Sequence, residues 1–277
     1  MIEPAPAKIN LALVVGPLRP DGKHELVTLF ERLDLVDDVQ LEPAVELAVT
    51  GFPEDTIVAA AITAAAEAAG IEPRFHAVLT KRIPVAAGLG GGSSDAAAAL
   101  RAVNRFLPKP LGREVLHRIA TRLGADVPFF LTDGPQLGSG DGSDLAPVAV
   151  PRNYTAVLWL PSGERKSSTR EIYARFDWRE GANGFDERRS ELFAAVGRLR
   201  SVRDLARLPP NDLARSTRVA RLLALGAFRA DVSGAGPVLY GLFEEPGDAE
   251  KAAGRLATEG QTWVCRPFGG RGAGDTA

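Results

Sequence analysis

Alternating apolar and polar positions predict that the chain opens with β-strands. Between residues 7 and 15, every second side chain from Ile9 to Val15 falls on one face of an extended chain. Lys8 and Asn10 fall together on the opposite face. Further strands are predicted at residues 26–35, 39–41, 45–49 and 75–81.

Helical patterns take over in the middle of the chain. Residues 57–69 are rich in alanine, contain no Gly or Pro, and are followed by Gly70, which is typical of a helix end. An apolar face with helical spacing also predicts a helix at 96–107. A third helix is predicted at 114–123, and it ends at Gly124.

The pattern changes again after a predicted boundary near residue 150. A strand, a long helical stretch, two strands joined by a glycine turn, a helix and a last strand follow, which is the order of a split βαβ sandwich. We expect two domains, at 1–150 and 151–268, and a flexible glycine-rich tail at 269–277. The C-terminal segments are 156–160, 169–225, 229–233, 238–243, 248–257 and 262–266.

Composition narrows the class of protein. The 277 residues are 45% hydrophobic and 25% charged, as in a globular protein of about two domains. One cysteine excludes a disulfide scaffold, and with three scattered histidines it also excludes a zinc finger. A net charge of −2 argues against a nucleic-acid partner. The first ten residues do not resemble a signal peptide, and no apolar run approaches the ~18 residues of a membrane helix, so we expect a cytoplasmic protein.

A glycine loop precedes the helix predicted at 96–107. Gly88 and the run Gly90 to Gly92 are followed by Ser93 and Ser94. Backbone amides without side chains can approach an anion closely, and the helix dipole and unpaired N–H groups favour it. The loop lacks the lysine of a Walker motif and the sixth-position glycine of a dinucleotide fingerprint. It is therefore another kind of phosphate site, or a linker before an ordinary capped helix.

Three further features have both a functional and a structural interpretation. Asp126 would act as a general base toward a hydroxyl group, or it would cap the next helical turn. Lys8 would stabilise charge on a transferred phosphoryl group, or it would be an edge-strand lysine with its head in solvent. The turn at 231–237 is either a tight hairpin or a backbone nest that closes over phosphate or substrate.

Three motifs together resemble the GHMP kinase superfamily, which includes galactokinase, homoserine kinase and the mevalonate kinases. They are Pro-Ala-Lys-Ile-Asn-Leu at 6–11, the glycine loop at 84–94, and Val-Ser-Gly-Ala-Gly-Pro at 232–237. The resemblance implies an α+β, two-domain GHMP kinase fold. Its N-terminal domain would be a β-rich α/β domain with a left-handed βαβ-type phosphate loop, and its C-terminal domain a ferredoxin-like split βαβ domain.

Longer motifs resemble the branch of this superfamily that phosphorylates the 2-hydroxyl of 4-diphosphocytidyl-2-C-methyl-D-erythritol in the non-mevalonate isoprenoid pathway. They lie at 19–26, 88–96, 123–129 and 211–213. Two positions depart from that branch. Lys23 stands where a tyrosine usually stacks on the cytosine, and Thr56 stands where asparagine is usual near the adenine. A homoserine or mevalonate-type kinase stays open as an alternative, as does, more remotely, a nucleic-acid-binding module using the basic side chains at 101–113.

The resemblance also implies roles for individual residues. Asp126 would be the catalytic base and Lys8 its charged partner, with ATP and magnesium as cofactors and Ser94 as a candidate metal ligand. The ATP phosphates would lie against Pro84, Val85, Ala86, Ala87, Gly88, Leu89, Gly90, Gly91, Gly92, Ser93 and Ser94. The cytidylylated substrate would contact Asn10, Lys23, His24, Thr169, Tyr173, Ser233 and Gly234.

Overall fold

Two long strands open the chain, β1 (Ile2–Leu18) and β2 (His24–Pro43). They pair with each other. Strand β2 spans both of the short strands predicted at 26–35 and 39–41, so the two are one continuous strand. Asp37, which lies between those two predicted segments, is buried in the structure. Its carboxylate accepts hydrogen bonds from the backbone N–H groups of Arg82 and Ile83.

The computed structural model describes residues 1–54, 56–164 and 168–269. Contacts group the chain into two compact units, which are described separately. The first unit comprises Met1–Ala7, Leu35–Val85 and Gly90–Asp133, and the second comprises Lys8–Asp34, Ala86–Leu89 and the chain from Gly134 onward. Residues of β1 and of β2 belong to both units. The division at residue 150 stays a prediction, and most of the tail predicted at 269–277 lies outside the described residues.

The first unit combines a small sheet with three helices. Residues 38–43 of β2 pair antiparallel with β4 (Phe75–Thr80), and β4 pairs parallel with β3 (Ala48–Thr50). Helix α1 (Ile57–Ala69) has the predicted bounds and packs against α2 (Gly91–Phe106) through small buried alanines. Helix α3 (Arg113–Leu123) contacts both. A 3₁₀ turn at Pro128–Leu131 follows it.

The second unit contains the expected split βαβ arrangement. Its four-stranded antiparallel sheet has the order β10–β7–β9–β8, with two helical regions connecting the strands. The strands are β7 (Thr155–Pro161), β8 (Arg229–Val232), β9 (Leu239–Phe243) and β10 (Gly260–Cys265). The helices are α4 (Thr169–Trp178), α5 (Phe185–Gly197), α6 (Val219–Ala224) and α7 (Pro246–Leu256), with a 3₁₀ turn at Val202–Arg207.

One face of this sheet forms an apolar core with α7. Trp159 and Phe243 from the strands pack with Ala249 and Leu256 from the helix, and all four are almost completely buried. Each large apolar side chain contributes about 1.5–3 kcal/mol when fully buried. Elsewhere in this unit, residues 28–30 of β2 pair with β5 (Gln136–Ser139), which pairs with β6 (Asp144–Pro147). Among the residues described, no helix has both the length and the apolar character needed to cross a bilayer.

Candidate active site

Lys8 and Asn10 form a buried polar pair on β1 in the second unit. Only 4% of Lys8 and 3% of Asn10 is exposed. Lys8 Nζ donates to Asn10 Oδ1 at 2.6 Å, and Asn10 Nδ2 donates to Thr28 Oγ1 at 2.7 Å. The Thr28 hydroxyl donates in turn to the Ala12 carbonyl. The alternative of an edge-strand lysine with its head in solvent is therefore wrong.

The second glycine turn lies against this pair and against the centre of the glycine loop. Ser233 Oγ donates to the Gly88 carbonyl at 3.0 Å, and the Val238 N–H donates to the Ala87 carbonyl at 3.2 Å. A Cβ at Gly234 would lie 3.2 Å from Lys8 Nζ. The second unit thus brings together five of the predicted site residues, namely Lys8, Asn10, Gly88, Ser233 and Gly234.

Gly88 occupies a position that only glycine fits. Its φ is +83°, in the left-handed region that other residues rarely adopt. A Cβ there would also lie 2.2 Å from the Ser233 carbonyl oxygen. The glycine therefore allows the backbone of the glycine loop to contact the backbone of the second glycine turn directly.

Asn211 holds the second glycine turn in shape. It is almost completely buried, and its Nδ2 donates to the carbonyls of Val232 at 2.9 Å and Gly234 at 2.7 Å. Its Oδ1 accepts from the Leu213 N–H. The motif at 211–213 therefore stabilises the second glycine turn through hydrogen bonds. Its position in the sequence did not indicate this contact.

Helix α2 begins inside the glycine loop, in the first unit. Its N-cap is Gly90, with φ +71° and no side-chain cap, and the helix starts at Gly91 rather than at the predicted residue 96. Ser93 and Ser94 therefore lie in the first turn and do not cap the helix. The N–H groups at the start of a helix lack intrahelical partners, so this end offers donors and positive potential to an anion.

The hydroxyl of Ser94, in the first turn of α2, is fully buried and makes no hydrogen bond to the described residues. Its side chain is 0% exposed, and among the described residues its Oγ has no hydrogen-bond partner. An unsatisfied buried hydroxyl is unfavourable unless a ligand completes it. A hydroxyl oxygen is also a ligand type that magnesium accepts, so the predicted role of Ser94 fits this residue.

Asp126 lies in the first unit, in the segment that follows α3. It is half-buried and follows Gly124, where a Cβ would lie 4.0 Å from Ser93 Oγ. Asp126 directly precedes Val127, the N-cap residue of the 3₁₀ turn at Pro128–Leu131. Both interpretations of Asp126, as a general base and as a cap of the next helical turn, stay predictions.

The residues predicted to contact a nucleobase lie together in the second unit. The rings of His24 and Tyr173 stack with centroids 4.8 Å apart and planes 19° apart. His24 Nδ1 is 2.8 Å from the Gly16 carbonyl, and its Nε2 is 3.3 Å from Asp177 Oδ1. Thr169 is the exposed first residue of the same helix as Tyr173, α4.

Lys23, which departs from the resemblance, pairs with Asp141. Asp141 also accepts a hydrogen bond from Ser143 Oγ at 2.7 Å. Burial raises the pKa of Asp141, but the Lys23 ammonium and the Ser143 donors outweigh burial and hold that pKa below its usual value. Lys23 is half-exposed and ties the turn before β2 to the turn after β5.

One charged cluster of the first unit was missed by sequence reasoning. Lys81, just before the glycine loop, forms ion pairs with Asp95 in α2 and with Asp37 in β2. Burial lowers the pKa of Lys81, but the two carboxylates outweigh burial and raise it above its usual value. The sequence signals were a lysine before the loop and an aspartate after its serines, but nothing in the sequence linked Asp37 to them.

Comparison with known proteins supports a kinase assignment. Two family models match the chain, GHMP kinases N terminal domain at residues 56–134 and GHMP kinases C terminal at residues 216–262. The 4-diphosphocytidyl-2-C-methyl-D-erythritol kinase of Nocardia farcinica is 38% identical over 92% of this chain and 89% of its own length. The enzyme of the same name from Kineococcus radiotolerans is 36% identical over 90% of this chain and 83% of its own length.

Solved structures show the same likeness. A crystal structure of a 4-(cytidine 5'-diphospho)-2C-methyl-D-erythritol kinase superposes with a TM-score of 0.79 at 34% identity, covering 98% of this chain and all of the other. A homoserine kinase from Cytophaga hutchinsonii superposes with a TM-score of 0.72 at 20% identity, covering 96% of this chain and 95% of the other. At that identity the homoserine kinase shows only that the fold is shared.

Proposed function

Because the chain belongs to the 4-diphosphocytidyl-2-C-methyl-D-erythritol kinase family of the GHMP kinases, we propose that it phosphorylates the 2-hydroxyl of that cytidylylated sugar alcohol with ATP. This reaction belongs to the non-mevalonate route to isoprenoid precursors, and we place it in the cytoplasm. The structural observation that carries the proposal is the buried ammonium of Lys8, hydrogen-bonded to Asn10 and lying against Gly234. A buried charge held in this way suits a transferring phosphoryl group.

The ATP phosphates are proposed to bind at the glycine loop, from Pro84 to Ser94. Positive φ values at Ala86, Gly88 and Gly90 turn successive parts of the backbone in a way that a regular strand or helix does not. The loop ends in the first turn of α2, where N–H groups and the helix dipole favour negative charge. No side-chain cation is needed within the loop itself.

Magnesium is proposed to bind with the triphosphate and to involve the Ser94 hydroxyl. Among the described residues, no group of three or more His, Cys, Asp and Glu side chains is placed to hold a metal ion. Magnesium often retains waters and binds phosphate oxygens, so one protein hydroxyl suits it. When bound, the ion would neutralise charge on the β- and γ-phosphates.

Asp126 and Lys8 are proposed to divide the chemistry. Asp126 accepts the proton of the acceptor hydroxyl, whose oxygen forms a bond to the γ-phosphorus as the bond to the β-phosphate oxygen breaks and ADP leaves. Lys8 stabilises the negative charge on the transferred group, and Asn10 fixes its ammonium. Most of the acceleration comes from positioning and electrostatics, because phosphoryl transfer needs little covalent help from the protein.

The cytidine moiety is proposed to bind where His24 and Tyr173 stack. Aromatic pairs of this kind stabilise by about 0.5–1.5 kcal/mol, so an added nucleobase could extend the stack. Lys23, Thr169 and Ser233 would contact the remaining polar groups of the substrate. The apolar stem and charge of Lys23 would replace part of the stacking that a tyrosine provides.

The proposal is tested by comparing acceptors at equal concentrations. ADP release is measured with 4-diphosphocytidyl-2-C-methyl-D-erythritol, homoserine and mevalonate. We expect release with the first acceptor alone, and preferential release with either of the others would overturn the substrate assignment. We do not propose a nucleic-acid-binding function. Two side chains of the basic cluster, Arg101 and Arg105, both form ion pairs with Glu3.

A further inference from the structure

Lys81 links the two chain segments that flank the glycine loop. It follows β4 and precedes the loop by three residues, whereas Asp95 lies on the far side of the loop in α2. Its ammonium is 2.5 Å from Asp37 Oδ2 and also pairs with Asp95. The side chain of Asp37 is 1% exposed and that of Asp95 is 0% exposed, so both pairs are shielded from water.

The segment that enters the loop is held at a second point. Asp37 Oδ1 accepts backbone hydrogen bonds from Arg82 at 2.5 Å and Ile83 at 2.8 Å. One carboxylate of β2 therefore holds the Lys81 side chain and the next two backbone N–H groups. A segment fixed at three atoms has little freedom to rotate before the loop begins.

The same ammonium lies beside the start of α2. A Cβ at Gly91, the first residue of the helix, would lie 3.5 Å from Lys81 Nζ. Asp95, one turn further along, anchors the helix to that ammonium. The direction of the first helical N–H groups is therefore fixed relative to the chain that enters the loop.

Stability alone is a weak reason for such a cluster. Replacing buried ion pairs by apolar residues is often neutral or stabilising, because desolvation of the charges offsets their attraction. A site built from backbone N–H groups, by contrast, binds an anion well only when the backbone is already in position. The place of this cluster, across the two ends of such a site, is what a positioning role requires.

We propose that Lys81 is a positioning residue for the ATP phosphates, holding the entry segment and the first turn of α2 in the geometry that binds them. Lys81 acts through the loop and not by contact with the nucleotide. This inference rests on the proposed phosphate site, but it does not depend on which alcohol accepts the phosphoryl group.

The test measures nucleotide affinity separately from turnover. The Kd of a non-hydrolysable ATP analogue with magnesium is measured by calorimetry for the wild-type protein and for Lys81→Met, Asp95→Asn and Lys81→Arg. We expect Kd and the KM for ATP to rise about ten- to hundredfold in the first two variants, with kcat and the acceptor KM little changed. Lys81→Arg, which keeps the charge, should recover part of the affinity.

Arg101→Met provides the matched control for a merely structural effect. Arg101 is on the same helix, six residues after Asp95, and its partly buried side chain pairs with Glu3 at 3.1 Å. We expect this variant to lower the melting temperature and to leave the KM for ATP unchanged. A structural loss reduces the folded fraction and therefore the apparent kcat, but it does not alter the KM of the molecules that stay folded.

The outcomes separate the inference from the proposed function. Unchanged nucleotide affinity in Asp95→Asn, or an equal loss in Arg101→Met, overturns the role of Lys81. Asp95→Asn keeps the size of the side chain, so it decides the question where Lys81→Met does not fold. Wild-type protein that binds the analogue but does not phosphorylate the cytidylylated acceptor contradicts the proposed function and leaves the affinity comparison valid.

Discussion

Lys8 Nζ donates a 2.6 Å hydrogen bond to Asn10 Oδ1, and both side chains are buried on the same strand. An ammonium removed from water is unfavourable unless partners or a ligand compensate it. Asn10 is in turn held by Thr28, so the position of the charge is fixed before any ligand binds. Such preorganisation is what stabilises developing charge most effectively.

Replacing Lys8 by methionine should therefore impair the chemical step. We expect Lys8→Met to lower kcat by about 10²–10³-fold, because the charge that stabilises the transferred group is lost while the chain keeps a similar shape. Steady-state kinetics with saturating ATP measure the effect. Lys8→Arg should restore little activity, since the planar guanidinium does not fit a site built for an ammonium. Wild-type kcat in Lys8→Met contradicts the role.

Asp126→Asn should remove the base and preserve the shape of the site. We expect kcat to fall about 10²–10⁴-fold, the usual contribution of general base catalysis, with the Kd of an ATP analogue nearly unchanged. Single-turnover transfer of labelled phosphate isolates this step. Asp133→Asn, an exposed carboxylate in the same unit, serves as the control and should retain activity. Equal turnover in the two variants would exclude Asp126 as the base.

The close approach at Gly88 predicts a difference between two glycine substitutions. Gly70 has φ +68° with no atom within 4 Å of a Cβ, so Gly70→Ala should cost about 1–2 kcal/mol of unfolding free energy from conformation alone. At Gly88 the Cβ would also meet the Ser233 carbonyl oxygen at 2.2 Å. We expect Gly88→Ala to cost at least about 1 kcal/mol more. Urea unfolding of both variants measures these losses. Equal losses of unfolding free energy would show that the loop and the turn can move apart at no cost.

Glu31 predicts a pH dependence of stability. Burial raises the pKa of Glu31 above its ordinary value of 4.5, and Arg152, at 3.2 Å, offsets this only in part. The folded state thus holds the proton more tightly than the unfolded chain. The resulting stabilisation is fully present below pH 4.5 and is lost as the pH rises through the folded pKa.

Glu31→Gln removes this dependence while keeping an oxygen for the Arg32 N–H. We expect the variant to gain unfolding free energy relative to the wild type as the pH rises from about 4 to about 7. Urea unfolding of both proteins across this range gives the difference directly. A difference that is the same at every pH would show that Glu31 ionises as easily in the folded protein as in the unfolded chain.

Local signals were sufficient for much of the fold. Helix α1 has the predicted bounds because alanine favours helix and Gly70 ends it, and the order of the second sheet follows from strands and helices that are each locally clear. The start of α2 was predicted five residues late, because glycines disfavour helix in isolation. The continuity of β2 was missed because burial of Asp37 depends on backbone groups 45 and 46 residues away.

In the candidate site, too, local features could be predicted from the sequence, whereas contacts between distant residues could not. Alternation placed Lys8 and Asn10 on one face, and the motifs singled out the glycine loop and the second glycine turn. The sequence could not show that Lys8 is buried, because that follows from Thr28 on β2 and from Gly234, far along the chain. The Lys81 cluster was missed for the same reason, since its three members come from separate elements.

The most direct test of the account is the identity of the phosphorylated product. ATP, magnesium and 4-diphosphocytidyl-2-C-methyl-D-erythritol are incubated with the protein, and ³¹P NMR follows the γ-phosphate. The account predicts a new phosphomonoester on the 2-hydroxyl, formed in equal amount with ADP, with the diphosphate of the acceptor intact. Release of inorganic phosphate with no new ester, or no consumption of ATP with this acceptor, would contradict it.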